Sequence, residues 1–590
     1  MKKKTSVLKN LWWIIKSTYQ YDKGYIWVIT FSVIILGIIP STFTLISQTI
    51  INSIQIGREI KFIFFVVILY IALDIVNNIL ISAFSYYKTR FNKGFMLEIQ
   101  EQILEKASRL SLQNYEDSET YDVIHRAQYE GSGSLSTYFD TFAGVISSFI
   151  TMFSYLLILV MFNPIIAAGV LILPFIKFFI NKKLNVESFE LIKRRTNDSR
   201  KSWYFQYLVT HGDYYKELKV YGLFRYFIDK YKKYQETFKT QDLRLERKKT
   251  IFLTVATMIE LLINGAIFFY IITLGISGSI LIGSIMAYMN TINQIKNQMI
   301  NILQSCSDMN KESLFIDQLI NFFDFPEQEQ GKQIIDEIKE INIVHLFYKY
   351  KGQSVYALQD VTLTIKRGER IALVGKNGSG KTTLIKLLMG FYNDYEGNIY
   401  IDGIELRNIN KTNYLEKISA LFQDFIKYEA TFRENIAYGN LNAINDDFHL
   451  YSMAQIFGID KLVEESKEKI DGQIGCWFDN GKQISLGQWQ KIALCRTFIK
   501  QADIYFLDEP NAALDAIAEY DLSGLYEKML KNKIGIIVAH KFNNFIKKIE
   551  QIVVLDGGKV VAIGKHEELL TNNNIYKELF EIQMGNSTVK

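Results

Sequence analysis

Gly375-Lys-Asn-Gly-Ser-Gly-Lys381-Thr382 is the stretch that decides how the second half of this chain folds. It fits the pattern GxxxxGK[ST], and its flanks give that pattern structural content. Arg370-Ile-Ala-Leu-Val374 before it reads as a buried strand, and Thr383-Leu-Ile-Lys-Leu-Leu388 after it reads as a helix. A strand that turns through glycines into a helix makes a phosphate cradle. The glycines let backbone N–H groups close around phosphate oxygens with no Cβ in the way. The helix N-terminus adds a partial positive charge. Gly375, Asn377, Gly378, Ser379, Gly380, Lys381, Thr382 and Thr383 are the candidate nucleotide-binding residues. Lys381 is expected to reach the β- and γ-phosphates of ATP, and Thr382 to hold Mg²⁺.

Toward the C-terminus, Asp503-Ile-Tyr-Phe-Leu507 reads as a buried strand that ends in Asp508-Glu509, about 125 residues after the loop. Such a strand delivers two carboxylates to the phosphate end of a parallel sheet. Asp508 is the candidate Mg²⁺ ligand and Glu509 the group that polarises the attacking water.

Between these motifs, Gln483-Ile484-Ser485-Leu486-Gly487-Gln488 resembles the signature of the ABC transporter family, usually LSGGQ. The order of the other segments is similar to that family as well. Tyr350, 25 residues before Gly375, resembles the aromatic that stacks on adenine. Gln423 resembles the glutamine that senses Mg²⁺ and the reacting water, Asp515 the D-loop aspartate, and His540 the switch histidine. The resemblance implies a catalytic set of Glu509, His540 and Gln423, with Thr382, Gln423 and Asp508 around Mg²⁺. It also implies a head-to-tail homodimer, in which Ser485, Gly487, Gln488 and Asp515 of one protomer close over ATP held by the other. Leu486 departs from the glycine usual in the signature, which implies tuned turnover. Ala539-His540-Lys541 departs from Ser-His-Arg but keeps the histidine.

Upstream of about residue 325 the composition changes. The whole chain is 49% hydrophobic with a net charge of +5, and the apolar excess lies in the first half. Six runs reach the length needed to cross a bilayer, at about 25–50, 60–86, 138–162, 164–184, 250–275 and 279–303. The intervening loops alternate short and long. The long ones, about 87–137 and 185–249, are dense in Lys and Arg, as in Lys193-Arg-Arg195 and Arg247-Lys-Lys249. The positive-inside rule puts these loops and both termini in the cytoplasm. Asp74 and Glu260 are ionisable residues inside spans and are expected to face the bundle interior or a wet cavity. Either they contact a cationic substrate or they bond between helices, as Asn77, Asn78 and Asn264 would.

Pro326-Glu-Gln-Glu-Gln-Gly331 is a boundary signal. The chain is thus expected to be a six-span α-helical membrane domain (1–325), a linker (326–339) and a cytosolic α/β P-loop ATPase domain (340–590). The three cysteines, Cys306, Cys476 and Cys495, form no CxxC pair and read as reduced and inert. Modest charge without a basic tail gives no case for nucleic acid. The Lys-, Ile- and Asn-rich composition points to an AT-rich bacterium, and hence to its plasma membrane.

Asn114-Tyr-Glu-Asp-Ser-Glu-Thr-Tyr-Asp-Val-Ile124 and Thr210-His-Gly-Asp-Tyr-Tyr-Lys-Glu-Leu-Lys-Val-Tyr-Gly222 resemble the coupling helices of bacterial exporters. Ser202-Trp-Tyr-Phe-Gln-Tyr-Leu-Val-Thr-His211 and Leu421-Phe-Gln-Asp-Phe-Ile-Lys-Tyr-Glu429 are similar to the nisin-type lantibiotic exporters. That resemblance implies ATP-driven export of a modified precursor peptide, together with membrane-associated modification enzymes as partners. Only about 24 residues precede the first run and no cysteine precedes Cys306, so a separate protease is expected to remove any leader. The alternatives are a lipid or multidrug exporter of the same build, and a nucleotide-gated channel or sensor.

Overall fold

The computed structural model describes residues 7–117, 120, 123–124, 127, 132–512, 514, 516–539 and 544–583. The chain divides into two compact units. One comprises Met1–Arg109 and Ser118–Pro326, the other Leu110–Asp117 and Glu327–Lys590.

The first unit is built of long helices: α1 (Val7–Tyr21), α2 (Lys23–Ile56), α3 (Ile60–Ser108), α5 (Ser132–Phe162), α6 (Pro164–Thr210), the short α7 (Tyr215–Val220), α8 (Phe224–Ile276) and α9 (Ile282–Phe323). The missing number, α4 (Leu112–Glu116), belongs to the second unit. Local chemistry sets the helix ends. Asp22 caps α2 by accepting from Gly24 N and Tyr25 N, and Gly57 ends it in a left-handed conformation. Asn163 caps α6 by accepting from the backbone N–H of Ile165 and Ile166, with Pro164 at the first turn.

Among the described residues, Lys23–Ile56, Ile60–Ser108, Leu135–Phe162 and Phe224–Ile276 are long and apolar enough to cross a membrane. In the apolar window of α3 only 6% of residues are buried. Phe64, Phe65, Ile68, Ile75 and Ile79 therefore face outward, as a lipid solvent requires. α6 and α9 run across the other two expected spans, but Lys177 and Lys296 interrupt them.

Those lysines converge on Glu260. It is 2% exposed and ion-paired with Lys177, while Lys296 approaches its other oxygen at 3.8 Å. Burial of Glu260 and Asn264 matches their expected inward orientation. Asp74 is not buried in the bundle: this side chain lies exposed on α3, where Asn78 one turn on donates to it at 3.1 Å. A carboxylate that finds its donor on its own helix needs no interhelical partner.

The second unit has two sheets. One is antiparallel, in the order β2 (Leu358–Lys366), β1 (Glu340–Tyr348), β4 (Glu396–Ile401), β5 (Ile404–Glu405). The other runs β10 (Lys559–Gly564), β9 (Gln551–Asp556), β3 (Arg370–Val374), β8 (Ile534–Val538), β7 (Ile504–Asp508), β6 (Ile418–Leu421), and all its pairs except β9–β10 are parallel. Both faces of the parallel strands are covered. Ala372 and Val374 pack into one apolar core, Ile371 and Leu373 into the other. Two helices matter for the site: α10 (Lys381–Leu388), which follows β3, and α11 (Leu486–Ile499). In register, Leu373 pairs with Val538, and Val538 pairs with Asp508. The C-terminal ends of β3 and β7 thus flank that of β8, the edge where open α/β sheets bind ligands.

Candidate active site

The chain leaves β3 at Val374 and turns through residues 375–380 into α10. A Cβ on Gly375 would lie 2.1 Å from the Leu555 carbonyl oxygen. Gly380 has φ 101°, and a Cβ there would lie 2.7 Å from the Ala357 oxygen. Steric exclusion demands glycine at Gly375, and both steric exclusion and the left-handed backbone demand it at Gly380. Lys381 folds back over this loop, donating to Gly375 O at 2.9 Å and Lys376 O at 3.0 Å. Burial lowers the pKa of its ammonium group, while Asp508 and Glu509 oppose that shift. Ser379 Oγ is buried with no hydrogen-bond partner, a spare donor at the centre of the loop.

From β7 come the two carboxylates. Asp508 Oδ2 lies 3.5 Å from Thr382 Oγ1. Its carboxyl is pushed up to about 6, first by burial and next by the charge of Glu509. Gln423 Nε2 donates to Glu509 Oε1 at 3.0 Å. Glu509 itself has φ 49°, a left-handed conformation that costs a side-chain-bearing residue about 1–2 kcal/mol. The surroundings hold it there. Its N–H donates to Val538 O at 3.2 Å, and Gln490, buried on α11, donates to Glu509 O at 3.3 Å and Pro510 O at 2.7 Å.

These groups open on a cavity of about 750 Å³. Its walls bring together Asn377 and Gly378 through Thr383 with Tyr350, Gln423 and Glu509. The Tyr350 hydroxyl shares a hydrogen bond of 3.0 Å with Thr383 Oγ1. Tyr356 and Val355 line the same cavity, and neither was legible from motif spacing. Gln490 was missed too, although it sits two residues past Gln488.

Ser485, Gly487 and Gln488 do not line this cavity. They open α11 in a capping box: Gln488 N donates to Ser485 Oγ at 3.3 Å, and Ser485 N to Gln488 Oε1 at 2.8 Å. Gln488 thus engages one side-chain oxygen in its own cap, and Leu486 is exposed beside it. Asp515 and His540 lie outside the described residues.

The arrangement offers buried backbone and ammonium donors to an anion, hard oxygens to a cation, and a carboxylate held by an amide. No group of three His, Cys, Asp or Glu side chains able to hold a metal occurs among the described residues.

Known proteins share this pattern. Residues 358–512 match the family model described as "ABC transporter". The subtilin transport ATP-binding protein SpaT of Bacillus subtilis is 34% identical over 552 residues, 93% of this chain and 90% of that one. The nisin transport ATP-binding protein NisT of Lactococcus lactis subsp. lactis is 33% identical over 574 residues, 96% and 95% of the two chains. Among solved structures, a bacterial Atm1-family ABC exporter with ATP bound has a TM-score of 0.75 at 17% identity, covering 96% of this chain and all of that one, a likeness of fold.

Proposed function

From the premise that this chain belongs to the ABC transporter family, as a multi-pass exporter with a fused ATP-hydrolysing domain, we propose that it secretes a modified lantibiotic-type peptide across a bacterial plasma membrane. The observation that carries the peptide reading is the likeness to the subtilin and nisin transport proteins at 33–34% identity over more than nine-tenths of this chain. In this reading six helices span the bilayer, with the ATPase unit and both termini in the cytoplasm.

The ATP site acts through its own residues. The N–H groups of the 375–380 loop and the Lys381 ammonium bind the phosphates, and the half-buried Tyr350, with Tyr356 on the same wall, borders the base. Thr382 and Asp508 suit Mg²⁺. Both offer hard oxygens, they lie 3.5 Å apart, and burial and the charge of Glu509 outweigh Lys381 in raising the pKa of Asp508, so a further cation would favour its charged form. Thr382 and Asp508 would hold Mg²⁺ there, and the ion would supply positive charge against the phosphates. Glu509, oriented by Gln423, accepts a proton from the attacking water.

The signature residues stand away from the cavity of their own chain, which supports a homodimer in which Ser485 and Gly487 of one protomer close the site of its partner. Gln488 Oε1 also steadies the cap that aims Ser485, and its side chain is placed beside Ser485 and Gly487 for the partner's nucleotide. ATP then holds the pair closed, and hydrolysis reopens it through charge repulsion.

The test is transport by the reconstituted protein. A leader-bearing lantibiotic precursor should stimulate ATPase activity and accumulate in inside-out vesicles, whereas lipids and dyes should not. Stimulation by lipids or dyes alone would replace the peptide reading with that of a flippase or drug exporter.

A further inference from the structure

Two stretches of the α/β unit that serve the ATP site separately are clasped together away from its cavity. One begins at Gln423, whose amide holds Glu509, and runs to the helix Phe432–Ala437. The other leads from Gly472 to the signature at Ser485 and on into α11. Backbone bonds tie them: Ile474 N donates to Ala430 O and Phe432 N to Gly472 O, each at 3.1 Å. Between Gly475 and Lys482 the second stretch loops out and returns. Its base is closed by Gly475 N donating to Lys482 O and Lys482 N to Gln473 O, each at 3.0 Å. The tip carries Trp477 and Phe478, 80% and 60% exposed, so burial of these rings does not hold the loop.

The carboxylate of Glu429 holds it. Its Oε2 accepts from Cys476 N at 2.6 Å and from Trp477 N at 3.1 Å. Two successive backbone N–H groups converging on one carboxylate oxygen make a compact anion seat with charge-assisted bonds. The seat is cut to this group: Gly475 has φ 102°, and a Cβ there would lie 1.8 Å from the same oxygen. Cys476 and Trp477 are exposed, so water could satisfy both N–H groups; what the carboxylate adds is a fixed loop shape. Glu429 is itself anchored through its neighbours. Arg496 of α11 donates to Ile426 O at 3.1 Å and lies over the Tyr428 ring at 4.5 Å. The signature helix thus grips the segment just before Glu429, and Glu429 grips the loop that ends three residues before Ser485.

We infer that Glu429 is a positioning residue for ATP hydrolysis: by fixing the 475–482 loop it sets the approach of Ser485 to the nucleotide held by the partner protomer. The inference rests on the homodimer reading. Glu429 does not line the ATP cavity of its own chain. It acts in the chain that lends the signature, not in the chain that holds the phosphates.

The experiment exploits that asymmetry. A mixed pair is reconstituted from full-length chains, one carrying Lys381→Ala and the other Ser485→Arg. Its one intact site takes the signature from the first chain and the phosphate loop from the second. Glu429→Ala is then placed on either chain. On the Lys381→Ala chain it should lower ATP hydrolysis about tenfold, the worth of one charge-assisted hydrogen bond. On the Ser485→Arg chain it should change the rate less than about twofold. A variant that merely unfolds its chain would abolish activity from either position. Equal losses from both positions, or no loss from either, would therefore overturn the assignment. Loss only from the Ser485→Arg chain would overturn it too, because Glu429 would then act through Gln423 and Glu509 of its own site. If the starting pair is inactive before Glu429 is changed, closure by the partner falls and takes this role with it; if the pair is active and indifferent to where Glu429→Ala sits, only this role falls.

Discussion

Removing the Glu116 carboxylate should loosen the seat of α4. This helix is flanked in sequence by the long helices, yet Leu110–Asp117 is part of the α/β unit. Glu116 accepts from the Tyr392 hydroxyl at 2.9 and 2.8 Å and from Lys386 Nζ at 3.0 Å. Tyr392 is 2% exposed and stacked on Tyr348 with centroids 5.1 Å apart. Burial, and then Glu116, push its hydroxyl pKa upward, so it stays a donor. The two bonds differ in worth. The Lys386 pair is partly exposed, with side chains 28% and 36% accessible, and contributes about 0–1 kcal/mol. The Tyr392 bond joins a buried hydroxyl to a charged acceptor, and its loss costs about 1.5–3 kcal/mol. Glu116→Ala should thus weaken docking by about 2–4 kcal/mol, roughly 30- to 1000-fold in the docked population. Hydrogen exchange at the α4 amides reads this directly. In a double-mutant cycle with Tyr392→Phe, the coupling energy should be at least about 1 kcal/mol. If α4 transmits force, peptide-stimulated ATPase should fall while ATP binding persists. Unchanged α4 protection in Glu116→Ala, or strict additivity with Tyr392→Phe, would refute the reasoning.

The ATP site supplies further expectations. The folded pKa of Asp508 is raised to about 6, so the proton competes with cation below that pH. Mg²⁺-nucleotide affinity should drop by up to about tenfold per pH unit below 6, and titration calorimetry should show proton release on binding. The sign is opposite for the nucleotide-free protein: this carboxylate destabilises it at neutral pH, and the penalty is relieved as pH falls through 6 toward 4. Gln490→Leu leaves the buried carbonyls of Glu509 and Pro510 without this donor. It should cost about 2–4 kcal/mol in thermal stability and slow hydrolysis more than it weakens ATP binding. Glu509→Gln should trap ATP, detected as retained nucleotide with little phosphate release. Lys381→Ala should weaken ATP binding, and unchanged affinity would remove the phosphate-cradle assignment.

What the sequence made legible was local. The 375–382 loop, its strand and its helix are contiguous, and the strand ending in Asp508 carries five consecutive buried positions. What it hid depends on folding. Gln490 follows the signature closely, but its acceptors about 20 residues on are reached only once α11 packs beside the end of β7 that bears Glu509 and Pro510. Glu116 meets Lys386 across 270 residues, and no pattern in either segment announces the other. Lys177 and Lys296 disappear into apolar runs, because one charge barely moves the average of a long window. Asp74 was expected in the bundle interior or a wet cavity; it lies exposed, and the donor it finds is Asn78 on its own helix, a local bond that the spacing of the two residues allowed. Gln488 shows how a motif residue carries a capping bond that the motif does not encode.

A complementation experiment on the composite ATP site tests the central claim most directly. One chain carries Lys381→Ala, a second carries Ser485→Arg, and each alone forms a pair with no intact site. Co-expressed and reconstituted together, they should regain peptide-stimulated ATP hydrolysis, because the mixed pair joins one sound phosphate loop to one sound signature. A mixture as inactive as either parent would contradict closure of the site by the partner.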